Sequence, residues 1–144
     1  FNSILRANCI LINGDKNLEF ENKIKKTFKK EVKIFYSKYK IKNIENLQNK
    51  EITAFAGIGN PSNFFDLLKE NNLNLKKTYS FPDHHFYSQK DLDKIIRDNA
   101  TKIVTTEKDY YRMNDEQKKN CYCVEVDLEI ENKYEFINLI KSKL

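Results

Sequence analysis

Cysteine is scarce in this sequence, with three residues, two of them only a residue apart at Cys121 and Cys123. Such a set makes no disulfide framework. Together with the lack of a secretory leader or an apolar run long enough to cross a bilayer, it fits a reducing, cytoplasmic setting. Arginine is scarce too: only Arg6, Arg97 and Arg112 accompany a lysine-dominated net charge of +5. Duplex readout and bidentate phosphate recognition favour arginine, so no nucleic-acid partner is expected. The two histidines, His84 and His85, are adjacent, which leaves proton chemistry near neutral pH one place to start. Two of the three glycines form Gly57-x-Gly59. That segment lacks the Gly-Lys-Ser/Thr of a phosphate-binding P-loop and the third glycine of a dinucleotide fingerprint. Repeats, linkers and low-complexity stretches are missing as well. The first residue is Phe1 rather than methionine, so either something was removed or the sequence is the downstream piece of a longer polypeptide.

What is present is enough for a core: 144 residues are expected to form a single α/β domain over 1–144. Lysine, asparagine and isoleucine abound together, as a residue bias of the whole genome would produce. Between Lys23 and Lys42 nine lysines face a single acid, Glu31. A solvated face explains them, and so does contact with an anionic surface, where each lysine contributes on the order of 1 kcal/mol.

Apolar runs closed by turn and cap signals alternate with helical spacing from end to end. Cys9 to Ile12 reads as a buried strand, and Ile24 and Phe28 mark a helix. Val32 to Tyr39 alternates as a strand does. Ile52 to Ala56 is a buried strand that runs through Gly57-Ile58-Gly59-Asn60-Pro61 into a helix whose inner face is Phe64, Phe65, Leu67 and Leu68. Leu75 to Phe81 is the next strand, and Ser88-x-x-Asp91 resembles a capping box before Leu92, Ile95 and Ile96. Lys102 to Thr105 follows, then Thr106-x-x-Asp109 as a cap for a helix carrying Tyr110, Tyr111 and Met113. Cys121 to Leu128 is a last strand, and Phe136, Ile137, Ile140 and Leu144 mark one face of a terminal helix. The pattern predicts a three-layer α/β/α fold with a mostly parallel sheet.

In such a sheet every strand-to-helix loop emerges at the carboxyl edge, where open α/β sheets hold ligands. The Gly57–Pro61 loop, Asp83-His84-His85 and Thr105–Asp109 all fall there, so topology alone lets them meet. Gly57-x-Gly59 can bring backbone N–H groups to an anion, or simply turn the chain. Lys108, in the first turn of its helix, needs a negative neighbour: a bound phosphate, or Glu107 and Asp109. The histidines, pointing opposite ways in extended backbone, are expected to divide into one functional and one structural residue. As metal ligands Asp83, one histidine and the Cys121-x-Cys123 pair have no spacing that fixes a geometry, and no metal site is expected. Acid/base chemistry, typically worth roughly 10² to 10⁴ in rate, suits a loop histidine beside a carboxylate.

Ala54-Phe55-Ala56-Gly57-Ile58-Gly59-Asn60-Pro61-x-x-Phe64-Phe65, then Tyr79-Ser80-Phe81-Pro82-Asp83-His84-His85, then Val104-Thr105-Thr106-Glu107-Lys108-Asp109, in this order and at these separations, resemble the carboxyl-terminal half of tetraacyldisaccharide 4'-kinase. This is the lipid A 4'-kinase of Gram-negative bacteria, and the likeness runs from about Leu5 to the end. It implies the second half of a P-loop-kinase-type protein, a fragment inactive alone, whose amino-terminal P-loop half would carry the ligands of ATP and Mg2+. The implied reaction moves the γ-phosphate of ATP onto the 4'-hydroxyl of tetraacyldisaccharide 1-phosphate, in lipid A and lipopolysaccharide biosynthesis. The implied setting is peripheral, on the cytoplasmic face of the inner membrane. His84, with Asp83 beside it, matches the family's catalytic histidine, which partners an aspartate of the other half. Gly57, Gly59, Asn60, Lys108 and Asp109 match as residues that line or shape a substrate or phosphate site. The residues by themselves leave a second reading open, a non-catalytic α/β module binding a nucleotide or anionic partner through the Gly57 loop and the lysine-rich stretch.

Overall fold

A computed structural model describes residues 6–28, 31–97 and 101–143. The chain divides into two compact units, one of Phe1–Lys40 with Asp127–Leu144 and one of Ile41–Val126.

In the first unit β1 (Cys9–Asn13) pairs in parallel with β2 (Lys33–Ile41), Ile10 opposite Ile34 and Ile12 opposite Tyr36. β7 (Val126–Ile130) completes a three-stranded sheet in the order β1-β2-β7. Helix α1 (Leu18–Thr27) starts at Asn17, whose side chain accepts the Phe20 N–H at 2.9 Å, the usual way of satisfying a free amide of the first turn. Its inner side brings Ile24 and Phe28 against Val32, Ile10, Ile12 and Ile34. Helix α6 (Lys133–Lys141) meets β2 through Phe136, edge-on to Phe35 at 5.2 Å. Phe136 and Leu139 are half-buried while Ile137 and Ile140 stay exposed, so the inner face differs from the expected one; Leu144 lies outside the described residues. Among the described residues, five of the nine lysines of the lysine-rich stretch have an acid partner within the same unit. Lys23 pairs with Glu19, Lys25 with Glu21, Lys33 with Glu135, Lys38 with Asp15 and Lys40 with Glu129. Apart from Lys25–Glu21, whose carboxylate is buried, these are exposed pairs, which each contribute about 1 kcal/mol or less.

The second unit holds a four-stranded, wholly parallel sheet in the order β4-β3-β5-β6. Its strands are β3 (Glu51–Ala56), β4 (Asn74–Ser80), β5 (Lys102–Thr106) and β6 (Tyr122–Val124). β3 is central and buried on both faces, and its period-two alternation divides the core. Ile52, Ala54 and Ala56 pack with Val104 against Phe64, Phe65 and Leu68 of α2 (Pro61–Glu70). Phe55 packs with Ile103 against Leu92 and Ile95 of α3 (Gln89–Arg97). Helices therefore cover opposite faces, giving the expected α/β/α layering. Ser88 and Asp91 form the reciprocal cap of α3, Asp91 Oδ2 accepting the Ser88 N–H at 2.8 Å and Ser88 Oγ accepting the Asp91 N–H at 3.2 Å.

Two further expectations need correction. The run Cys121 to Leu128 is not one strand: β6 ends at Val124 and β7 begins at Val126, in a different sheet. The break at Glu125 is clamped, its carbonyl accepting the Lys42 N–H at 2.9 Å and its N–H bonding the Asn43 side chain at 3.2 Å. The helix after Thr106 is also shorter than expected. α4 (Glu107–Tyr110) stops before Met113, and a second short helix, α5 (Asp115–Lys118), follows behind an Asn114–Gln117 capping box.

Candidate active site

The three loops at the carboxyl edge of β3, β4 and β5 meet around one buried carboxylate. Asp109 is fully buried, because Thr106 caps α4 through its Oγ, accepting the Asp109 N–H at 3.2 Å and turning the Asp109 side chain inward. Asp109 Oδ2 accepts the Thr106 O–H at 2.8 Å and the Gly57 N–H at 3.0 Å. The first and third loops are thus pinned together. The Gly57 amide is consequently not free for an anion, and the residue itself is buried. What Gly57 supplies is room: a Cβ there would stand 2.8 Å from the Tyr87 hydroxyl, 3.1 Å from the Pro82 carbonyl oxygen and 3.2 Å from His85 Cβ.

The middle loop lies over that glycine. The Phe81 N–H donates to Ala56 O at 2.9 Å and the His84 N–H to Gly57 O at 3.1 Å, while the His85 N–H closes a turn on Pro82 O at 3.2 Å. His84 has φ +60°, and the other non-glycine residues of positive φ among those described are asparagines. For a residue with a Cβ this conformation costs roughly 1–2 kcal/mol. In this turn it lets the His84 N–H serve both Gly57 O and Asp83 Oδ1, the latter at 3.0 Å.

The two histidines then part. His85 is packed, stacked on Phe81 at 4.7 Å, edge-on to Tyr87, with Nε2 3.2 Å from Asp91 Oδ2. His84 is 70% exposed. Its Nδ1 lies 2.9 Å from Arg112 Nη2, and its Nε2 3.7 Å from Asp83 Oδ2. One ring is exposed and the other packed, and they part at the left-handed turn of His84 and not in the extended backbone that was expected.

Lys108 finds its counter-charge in neither of its neighbours. Its ammonium donates to Asp83 Oδ1 at 3.2 Å, while Asp109 turns inward and Glu107 accepts the Val126 N–H at 3.4 Å. The hydrogen bond from Lys108 is the main reason the Asp83 carboxyl is held below the usual carboxylate range. Gly59 borders the same carboxylate: a Cβ there would lie 3.7 Å from Asp83 Oδ2. Asn60 stands at the N-terminus of α2, where its side chain bonds Asn63 at 3.1 Å.

Two residues central to this arrangement carried no motif. Arg112 reaches His84, the Gly57 carbonyl at 3.4 Å and Asp109 Oδ1 at 3.7 Å. Its signal was rarity: in a chain that uses lysine almost everywhere, an arginine marks a place where a planar fork of donors is needed. Tyr87 packs on Phe55 and Phe81, and burial first, then the charge of Asp109, push its hydroxyl pKa up. The cysteine pair stands apart as ordinary thiols. Burial raises Cys121 and Cys123 each to about 11, and among the described residues no group of three or more His, Cys, Asp or Glu could hold a metal ion.

The sequence profile of the family described as tetraacyldisaccharide-1-P 4'-kinase matches residues 1–144. The chain belongs to the tetraacyldisaccharide 4'-kinase family. Relatives carrying that name are 33% identical over 148 residues in Pelagibacter ubique, covering 97% of this chain and 46% of the relative. The Rickettsia akari relative is 40% identical over 88 residues, covering 59% of this chain and 27% of the relative. The fold is that of a solved family structure, the Aquifex aeolicus LpxK described as an "apo" form in complex with ATP. The likeness has a TM-score of 0.64 and 21% identity, and covers 98% of this chain and 44% of the other. The chain thus spans less than half the length of each of these tetraacyldisaccharide 4'-kinases.

Proposed function

We propose that this chain works as part of a kinase that transfers the γ-phosphate of ATP to the 4'-hydroxyl of tetraacyldisaccharide 1-phosphate, a lipid A precursor, with His84 as a catalytic residue. The observation that carries the reading is the convergence of the three family-like loops on an exposed histidine held in left-handed backbone. Backbone kept in such a conformation by surrounding contacts is characteristic of functional sites.

Phosphoryl transfer asks mainly for positioning and charge stabilisation. These residues can supply positioning on the acceptor side. His84 presents a ring nitrogen to solvent, Asp83 and the Lys108 ammonium flank it, and Gly59 leaves the approach to Asp83 open. Gly57 and Asp109 hold the loops, and Asn60 borders them at the start of α2. In this reading the aspartate that acts on the sugar hydroxyl, and the nucleotide, are held by a P-loop half that these 144 residues do not include. The same applies to Mg2+: the described residues do not assemble a ligand set for it, so no step of the account runs through a metal. The enzyme would act as a peripheral protein at the cytoplasmic face of the inner membrane of a Gram-negative cell, where its acylated acceptor resides. No described helix is long and apolar enough to cross a membrane, which is consistent with contact from one side.

The test is ATP-dependent phosphorylation of tetraacyldisaccharide 1-phosphate by the full-length protein, with the product position read by mass spectrometry. A 4'-phosphorylated product that disappears in His84→Ala supports the proposal. A wild-type protein that binds a nucleotide yet phosphorylates no lipid acceptor refutes it and favours the non-catalytic module.

A further inference from the structure

We propose that Arg112 is a positioning residue that fixes His84 in one neutral tautomer, with Nδ1 bare and the proton on Nε2, so that the ring offers its site a hydrogen-bond donor. This rests on the kinase reading of the site and gives His84 a defined role within it.

A guanidinium has five N–H donors and no acceptor, so the 2.9 Å contact between Arg112 Nη2 and His84 Nδ1 can form only when Nδ1 accepts. A neutral imidazole carries one proton, which must then sit on Nε2. The ring's Nε2 edge faces outward, 3.7 Å from Asp83 Oδ2, on a side chain that is 70% exposed. Asp83 Oδ1 takes both the Lys108 ammonium and the His84 N–H, and Oδ2, the oxygen on the side of Nε2, stands 3.7 Å from it, beyond hydrogen-bond distance. The Nε2–H can therefore be given to an incoming carboxylate or hydroxyl.

Arg112 can dictate this because it is itself held. Its side chain is 21% exposed, and Nη1 reaches the Gly57 carbonyl at 3.4 Å and Asp109 Oδ1 at 3.7 Å. Asp109 is fully buried, with Oδ2 occupied by Gly57 and Thr106. Among the described residues Oδ1 has no hydrogen-bond partner, so the guanidinium is the cation that balances the buried charge. One planar fork thereby ties a buried carboxylate, a backbone carbonyl and an imidazole, which a lysine ammonium, a single point of charge, would not do in one geometry. A ring whose outward nitrogen is a donor orients an acceptor carboxylate; it does not remove a proton from the sugar hydroxyl. His84 thus steers the family's catalytic aspartate, and proton removal falls to that aspartate.

The experiment is ¹⁵N-histidine NMR of the full-length protein, with His84 assigned by comparison with His84→Gln, joined to steady-state kinetics of Arg112→Met and Arg112→Lys. The expected wild-type spectrum shows neutral His84 with a bare Nδ1 and a protonated Nε2. In Arg112→Met the ring should become a mixture of tautomers, with kcat roughly 10²-fold lower, the scale of a small misplacement of reacting groups, and KM for ATP little changed. Arg112→Lys should restore only part of either signal. A wild-type His84 protonated on Nδ1 overturns the proposal without need of any variant, and so does an Arg112→Met protein whose tautomer and kcat both match wild type. If the full-length protein shows the expected tautomer and its dependence on Arg112 but phosphorylates no lipid, the positioning stands and the kinase reading fails.

Discussion

Replacing Gly57 with alanine puts one methyl group where the three loops close on each other, and its cost can be worked from the contacts it would meet. The added Cβ would lie 2.8 Å from the Tyr87 hydroxyl, 3.1 Å from the Pro82 carbonyl oxygen and 3.2 Å from His85 Cβ. None of the three yields easily. Tyr87 is wedged among Phe55, Phe81 and His85, at ring separations of 5.0, 5.2 and 5.1 Å. The Pro82 carbonyl is fixed by the His85 N–H. Forcing a methylene into a packed site costs about 1–3 kcal/mol. Against this stands a gain of about 0.4–1 kcal/mol from a less flexible unfolded chain. The net expectation is a loss of ~1–2 kcal/mol in urea unfolding of the full-length protein. Relief comes most readily by lifting the Pro82–His85 turn, which carries His84 with it, so lipid kinase turnover should fall as well. Gly59→Ala is the internal control. Its Cβ would meet only Asp83 Oδ2, at an ordinary 3.7 Å, and its stability should match wild type or rise slightly. A Gly57→Ala protein as stable and active as Gly59→Ala would refute the close-packing argument.

Three further outcomes follow from the same geometry. Asp109→Ala removes the acceptor of Gly57 and Thr106 and leaves the Arg112 guanidinium without its buried partner; a loss of ~3–5 kcal/mol is expected in denaturant titration, and a loss under 1 kcal/mol would mean the clamp is unimportant. Asp83 has its folded pKa lowered from 3.8, chiefly by Lys108, so its contribution to stability is present above the unfolded value and is lost as pH falls through the folded one. Lys108→Met should accordingly lower stability at neutral pH and converge with wild type in acid, and a difference that widens in acid contradicts the pairing. Cys121 and Cys123, raised to about 11, should react slowly with iodoacetamide at pH 8 and faster toward pH 11, since the thiolate is the nucleophile; rapid labelling at pH 8 would disprove their burial.

The parallel sheet and the edge where its loops gather were legible because β3 is an apolar run, and β3, β4 and β5 each stop at a marker with a local cause: Gly57, Pro82 or the Thr106 cap. What was hidden depends on partners distant in sequence. Cys121 to Leu128 alternates without interruption through Glu125, and the switch of sheets there is made by Lys42 and Asn43, some 80 residues earlier. The link from Arg112 to His84 spans 28 residues and no motif. The turn of Asp109 into the core was equally unmarked, since the same Thr106-x-x-Asp109 spelling serves an exposed cap. The inner face of α6 was misread in part: Phe136 packs on Phe35 as expected, but Ile137 and Ile140, core residues by type, stay exposed because that contact is shallow.

The central claim is that the neighbouring histidines divide the work, His84 serving the reaction and His85 the packing. It is tested most directly by measuring kcat for tetraacyldisaccharide 1-phosphate in the full-length enzyme carrying His84→Ala or His85→Ala, with the folded fraction of each determined separately. His84→Ala is expected to lower kcat by roughly 10² to 10⁴ with stability little changed, since alanine keeps the Cβ and with it the cost of the left-handed backbone. His85→Ala should lose stability through its contacts with Phe81, Tyr87 and Asp91 while its folded fraction keeps kcat within about tenfold of wild type. Equal losses of kcat, or a larger one for His85→Ala, would contradict the account.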